Sequence, residues 1–374
     1  MRDFDIRWRS AATNRPGLAA PRPGWRADPN LMAFDSLSLP LLGFVFLAGA
    51  VATWLGGWRL AHYVDAVTTR TGAGQALMGM LLLGGVSSLP EVAAVSTAAS
   101  IGNAPLAVNN LLGTASINIL ILAVADIVYG REALTVRAAR PATLMQGVLA
   151  MLLASVVAMV ATAGDIPIFG FGLGSASLAA GAVAALWISS GFEHRHTWEV
   201  VGGQDNAEDG DREGDPRPLW LLILLIMLCA ALILVAGFVL SSSADALAEK
   251  TGISAGMIGF ILVGLATSLP EISSTIAAVK LRRYQMAIGD IFGTNIFNIM
   301  LIFLADLIYP GAPVLGQAGT FEAIGAILTV MMTGMVVVGL LERKDKAILR
   351  MGYDSVASLA TFAIGLWLLS RTMN

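Results

Sequence analysis

Apolar residues fall along this chain in ten stretches, each separated from the next by charge, proline or glycine. They are Leu37–Trp58, Gln75–Ile101, Pro105–Val128, Thr143–Thr162, Phe169–Ser190, Leu219–Ser241, Ser254–Val279, Gln285–Tyr309, Phe321–Leu341 and Tyr353–Leu369. About 20 consecutive apolar residues are enough to cross a bilayer as a helix. A backbone facing lipid must also satisfy its hydrogen bonds within its own segment. The short alternating strands of a membrane barrel do not appear in the pattern. The pattern predicts an all-α polytopic membrane protein with ten transmembrane helices. Pro90 breaks the second stretch, so a bent helix is expected there.

Composition agrees with this. Of 374 residues, 56% are hydrophobic and 13% charged, and the mean hydropathy is +0.74. Soluble domains carry about 25% charged residues, so a soluble enzyme is excluded. A net charge of −3 without a basic patch excludes nucleic acid as a partner, and the single Cys229 excludes a disulfide scaffold. Beyond residue 36, the loops after the odd-numbered stretches hold fifteen Lys and Arg, from Arg59 to Arg350. The opposite loops hold only Lys250 and Arg371. That bias predicts cytoplasmic odd-numbered loops and both termini outside, in a plasma (inner) membrane.

Two segments stand apart. Residues 1–36 are a polar extension whose six Arg lie on the predicted outer face, and they lack the apolar core of a signal peptide. Initiation at Met32 would remove the conflict. Residues 191–218 carry eight acids interspersed with Gly and Pro, which predicts a flexible cytoplasmic linker between two halves, 37–190 and 219–371. The acid spacing does not match a twelve-residue calcium loop.

The halves repeat each other. A shift of 180 residues aligns Gly79–Tyr129 with Gly259–Tyr309 without a gap. Ser88-Leu89-Pro90-Glu91 falls on Ser268-Leu269-Pro270-Glu271, Gly113-Thr114 on Gly293-Thr294, Asn118 on Asn298, and Asp126 on Asp306. Five spans per half is an odd number, so the second half is expected to enter the membrane upside down. Such inverted repeats place a substrate site near the midplane, where interrupted helices meet.

The repeated residues carry the candidate chemistry. Pro90 and Pro270 each remove a backbone donor and free carbonyls. Around them gather Ser87, Ser88 and Glu91 in one copy, and Thr267, Ser268 and Glu271 in the other. Carbonyls, hydroxyls and carboxylates form a hard, all-oxygen set suited to sodium or calcium. A carboxylate at mid-membrane costs about 2.5–3.5 kcal/mol on insertion scales, so a matched pair implies a shared purpose. Asn110 and Asp290 occupy matching positions on the following spans, three residues before Gly113 and Gly293. One calcium with one proton, or three monovalent cations, would neutralise Glu91, Glu271 and Asp290. Asn118 and Asn298 are expected to bond helix to helix, and Asp126 and Asp306 to lie at the membrane interface.

At these residues the chain resembles the calcium/cation antiporter superfamily, the sodium/calcium exchangers and their bacterial relatives. That family's repeats read roughly G-[ST]-S-x-P-E and G-[ND]-x-x-G-[ST]-N-I. Here they appear as Gly85-Val86-Ser87-Ser88-Leu89-Pro90-Glu91 with Asn109-Asn110-Leu111-Leu112-Gly113-Thr114-Ala115-Ser116. The second copy is Ala266-Thr267-Ser268-Leu269-Pro270-Glu271 with Gly289-Asp290-Ile291-Phe292-Gly293-Thr294-Asn295-Ile296. The resemblance implies calcium export by alternating access, driven by sodium entry, with no organic cofactor and no obligatory protein partner. It implies that Glu91 and Glu271 bind calcium, that Asn110 and Asp290 add ligands, and that Ser87, Ser88, Thr267 and Ser268 contact sodium and calcium. Departures are Asn109 in place of Gly and Ala115-Ser116 in place of Asn-Ile. In addition, Leu106 and Met286 stand where sodium exchangers carry serine. The last departure leaves protons or potassium as alternative coupling ions.

Two other classes compete. A cation channel also uses acidic residues, but channels build their filters from rings. A membrane metalloprotease needs histidine ligands, whereas His62, His194 and His196 are all expected in loops and no H-E-x-x-H occurs.

Overall fold

The computed structural model describes residues 34–100, 102–130, 133–192, 215–251, 265, 267–342, 347–348 and 351–372. The polar extension with Met32, most of the acidic linker with His194 and His196, and the start of the expected seventh span lie outside the described residues.

The described chain is helical: α1 (Leu39–Thr71), α2 (Gln75–Ser87), α3 (Leu89–Ser100), α4 (Ala104–Tyr129), the short α5 (Leu134–Ala138), α6 (Pro141–Ala163), α7 (Leu173–Phe192), α8 (Leu219–Thr251), α9 (Leu269–Lys280), α10 (Tyr284–Ile308), α11 (Thr320–Glu342) and α12 (Tyr353–Thr372). Among the described residues, eight helices are long and apolar enough to cross a bilayer. The α2–α3 pair, bent by 44°, makes a ninth if counted as one span. Two-residue antiparallel ribbons precede α7 and α12: β1 (Pro167–Ile168) with β2 (Phe171–Gly172), and β3 (Ala347–Ile348) with β4 (Met351–Gly352).

The 180-residue register reaches well beyond the block visible in the sequence. Adding 180 to both bounds of α1, α3 or α7 gives α8, α9 or α12, and β1 and β2 map onto β3 and β4 in the same way. α1 and α8 run 33 residues each, about 50 Å at 1.5 Å per residue, well beyond the bilayer core of about 30 Å. The expected end of the first span at Trp58 was therefore too early. Arg59, His62 and Asp65 continue the helix until Gly72 closes it in a left-handed conformation (φ 68°). His62 accordingly lies on a helix rather than in a loop, with its Nδ1 2.8 Å from the Trp58 carbonyl oxygen.

α4 and α10 are the most deeply enclosed spans, while the flanking helices leave large apolar side chains exposed. α10 approaches α2 backbone to backbone: a Cβ on Gly84 would lie 2.7 Å from the Thr294 nitrogen, and one on Gly293 would lie 2.5 Å from the Met80 carbonyl oxygen. The long helices cross between halves. Gly57 of α1 faces Pro270 of α9, and its counterpart Gly237 of α8 faces Pro90 of α3. A glycine is thus seated against the first turn of both α3 and α9.

Candidate cation site

The bend at Ser88 starts the site. Pro90 has no N–H to continue the helix ladder, and the Ser88 backbone N–H and hydroxyl both bond back to the Gly84 carbonyl, at 3.2 and 2.6 Å. The chain then restarts as α3 with Glu91 in its first turn. α9 likewise begins with Glu271 in its first turn. Anionic side chains suit the partial positive charge of a helix N-terminus.

Ser87, Ser88, Glu91, Thr267, Ser268, Glu271 and Asp290 are all buried, and the three acids are fully enclosed. All four carboxylate oxygens of Glu91 and Glu271 lack a hydrogen-bond partner, as does the Ser268 hydroxyl. Across the bundle, Thr267 stands near Glu91 and Ser87 near Glu271. Ser87 and Thr267 are themselves repeat partners, so each glutamate faces the hydroxyl of the opposite half. Glu271 also feels the charges of Glu91 and Asp290.

Asp290 is placed differently. Ser87 donates to its Oδ1 at 3.5 Å, while Ser274 and Thr275 donate to its Oδ2, Thr275 at 3.2 Å. Ser87 also exchanges a hydrogen bond of 3.2 Å with Thr294. Ser274 and Thr275 have no polar counterparts in the first half, where Ala94 and Val95 stand. A search for matched residues passes over them, although the run Glu271-Ile272-Ser273-Ser274-Thr275 signals a polar helix face.

Asn110 is half-buried, its amide nitrogen has no partner, and it is not in hydrogen-bond contact with either glutamate. Among the described residues, no three His, Cys, Asp or Glu side chains converge as a metal cage. A cation held between the glutamates therefore needs hydroxyl, amide and carbonyl oxygens as well.

Residues around the site behave unevenly. Asn118 donates to Asn295 at 3.2 Å, and Asn295 donates to the Ala115 carbonyl at 3.1 Å, which ties α4 to α10. Asn298 was expected to do the same, but both its amide atoms lack partners. Asp126 and Asp306, near the ends of α4 and α10, are each buried in a polar clasp. The Asp126 Oδ1 accepts the Leu134 N–H at 2.7 Å, and its Oδ2 accepts the Gly352 N–H and the Ser355 hydroxyl. The Asp306 Oδ1 accepts the Val314 N–H at 2.7 Å, and its Oδ2 accepts the Gly172 N–H and the Ser175 hydroxyl. Every partner is displaced by 180 residues between the two clasps, and each aspartate holds the ribbon of the opposite half.

Outside the bundle, Arg283 pairs with Asp65 of α1. Arg217 grips Asp215 at 2.7 Å and lies over the Tyr63 ring. The Arg217 hydrogen bonds hold the Asp215 carboxyl below the usual carboxylate range.

An apolar helical bundle that encloses unpartnered carboxylates at matched positions has the build of a membrane-embedded ion carrier. The chain belongs to the sodium/calcium exchanger protein family, which it matches over residues 41–188 and 221–371. It is similar to the putative antiporter CaxA of Alkalimonas amylolytica (24% identity, covering 78% of this chain and 89% of that protein). It also resembles the inner membrane protein YrbG of Escherichia coli (32% identity, covering 68% and 75%). A shorter match joins it to the sodium/calcium exchanger MaX1 of Methanosarcina acetivorans (38% identity over 90 residues, about a quarter of each chain). Among solved structures, the sodium-calcium exchanger NCX_Mj shares the fold, with a TM-score of 0.67 at 19% identity, covering 88% of this chain and 99% of that one. The chain is an integral membrane protein with the fold and family of cation antiporters.

Proposed function

We propose that this protein exchanges calcium for sodium by alternating access, as two inverted five-helix halves spanning 37–190 and 219–371. Glu91 and Glu271 hold the calcium ion. Asp290, Asn110 and the hydroxyls of Ser87, Ser88, Thr267 and Ser268 complete the oxygen set and supply sodium ligands. The observation that carries this reading is the set of four buried glutamate oxygens without a protein partner. Buried carboxylates are costly unless paired or metal-bound. Carboxylate and hydroxyl oxygens are the ligand type calcium takes, 6–8 of them at about 2.3–2.6 Å.

Exchange follows from charge. Up to three negative charges in a low-dielectric interior oppose movement of the bare site across the membrane. A calcium ion with one proton, or a set of monovalent ions, removes that barrier. Because the two loadings use the same oxygens, each excludes the other. Asp290 already accepts three hydroxyl donors, so it tunes the charge balance more than it grips calcium. The Lys and Arg bias between loops supports an orientation with the linker 191–218 in the cytoplasm and both termini outside, in a plasma membrane.

A proton-coupled variant is the second reading. It is favoured by Leu106, which is exposed, and Met286, which is buried; neither offers an oxygen. Calcium flux in proteoliposomes, with sodium, potassium and pH gradients imposed separately, decides between them. Uptake driven by an outward sodium gradient and indifferent to pH supports sodium exchange. Uptake that follows only the pH gradient overturns it.

A further inference from the structure

The two aspartate clasps share a backbone plan but not a lining. Beside the Asp306 clasp, the positions matching Thr135, Asp354 and Ser358 are Leu315, Gly174 and Leu178, and both leucines are packed solid. Beside the Asp126 clasp there is instead a small cavity of about 10 Å³, enclosed by Thr135, Asp354, Ser355, Ser358 and neighbouring apolar side chains. That is the space of one water or one bare small cation. The Asp306 clasp has a second carboxylate too, Asp165, but it accepts the Gly174 and Ser175 N–H at 2.6 and 3.4 Å, whereas Asp354 keeps an oxygen without a partner beside the cavity.

Asp354 is 4% exposed, and its Oδ2 has no hydrogen-bond partner. Gly339 and Gly352 leave it room, since a side chain on either would collide with its carboxylate. The surrounding hydroxyls have already committed their protons: Ser355 donates to Asp126 Oδ2 at 3.0 Å, and Ser358 donates to the Asp354 carbonyl at 2.9 Å. A hydroxyl has one proton and two lone pairs, so both can still act as oxygen ligands. The adjacent Asp126 carboxylate brings a second negative charge but is saturated by its own three donors.

We propose that this cavity is a second cation site, distinct from the central one, which takes a single sodium ion on Asp354 with the hydroxyls of Thr135, Ser355 and Ser358 as neutral ligands. One free carboxylate oxygen among hydroxyls is too poor a set for calcium, which prefers several carboxylates and 6–8 oxygens. A cavity of one-water size favours sodium over potassium. The ion would sit where α12 meets α4 and the start of α5, beside the junction at which Asp126 holds the opposite half.

The test is equilibrium binding of radioactive sodium to the purified full chain carrying Glu91→Gln and Glu271→Gln, which disables the proposed central site. Saturable sodium binding that equal potassium does not displace, and that falls by one ion per chain on adding Asp354→Asn, is the expected result. Ser358→Ala should weaken that ion by about tenfold, through loss of one neutral ligand, and it carries the test if Asp354→Asn fails to fold. Unchanged stoichiometry in Asp354→Asn, or unchanged affinity in Ser358→Ala, overturns the proposal and leaves the cavity to water.

Discussion

Replacing Asp306 with alanine tests whether the clasps hold the two halves together. In the parent, Asp306 Oδ1 accepts the Val314 N–H and its Oδ2 accepts the Gly172 N–H and the Ser175 hydroxyl. The Ser175 hydroxyl also lies 3.0 Å from the Gly172 carbonyl, so it keeps a partner in the variant. The two backbone amides do not. Each orphaned buried donor costs about 1–3 kcal/mol, giving roughly 2–6 kcal/mol before compensation. Removing a buried charge offsets part of that, which leaves about 2–3 kcal/mol of net destabilisation. Asp126→Ala should cost a similar amount, because its clasp is built from the same three partner types. Equilibrium unfolding in mixed micelles, with parent and variant compared at one detergent composition, measures the difference. A change within about 0.5 kcal/mol of the parent, the range of ordinary surface substitutions, would refute the reasoning.

The remaining predictions concern the bundle centre. Glu91→Gln and Glu271→Gln should each abolish calcium binding while the protein still inserts and elutes as a monodisperse species, as checked by calcium binding and size-exclusion chromatography. Asp290→Asn should retain calcium binding but change the sodium or pH dependence of flux. Flux identical to the parent under every gradient would remove Asp290 from the site. Gly84→Ala places a Cβ 2.7 Å from the Thr294 nitrogen and 2.9 Å from the Asp290 carbonyl oxygen. It should cost about 1–3 kcal/mol as an overpacked contact, measurable by the same unfolding assay.

Much of this architecture was legible because duplication writes each feature twice. The pairing of Pro90-Glu91 with Pro270-Glu271 located the bend between α2 and α3, and the structure encloses both glutamates. Helix ends were less legible. Arg59 reads as a boundary, but arginine is a good helix former, and the helix runs on to Thr71 with Asp65 paired to Arg283. Residues present in one half only escaped notice: Ser274 and Thr275 hold Asp290 without counterparts at Ala94 and Val95. The clasps escaped for another reason. Asp126 meets Gly352 across 226 residues, a pairing that no local pattern encodes.

The central claim, that two bent helices bring Glu91 and Glu271 together around a cation, is tested most directly by the anomalous signal of strontium soaked into crystals as a calcium substitute. A single strong peak between the two glutamates, within bonding distance of both carboxylates, is the predicted result. A peak elsewhere, with these carboxylates contacting only protein or lipid, would contradict it.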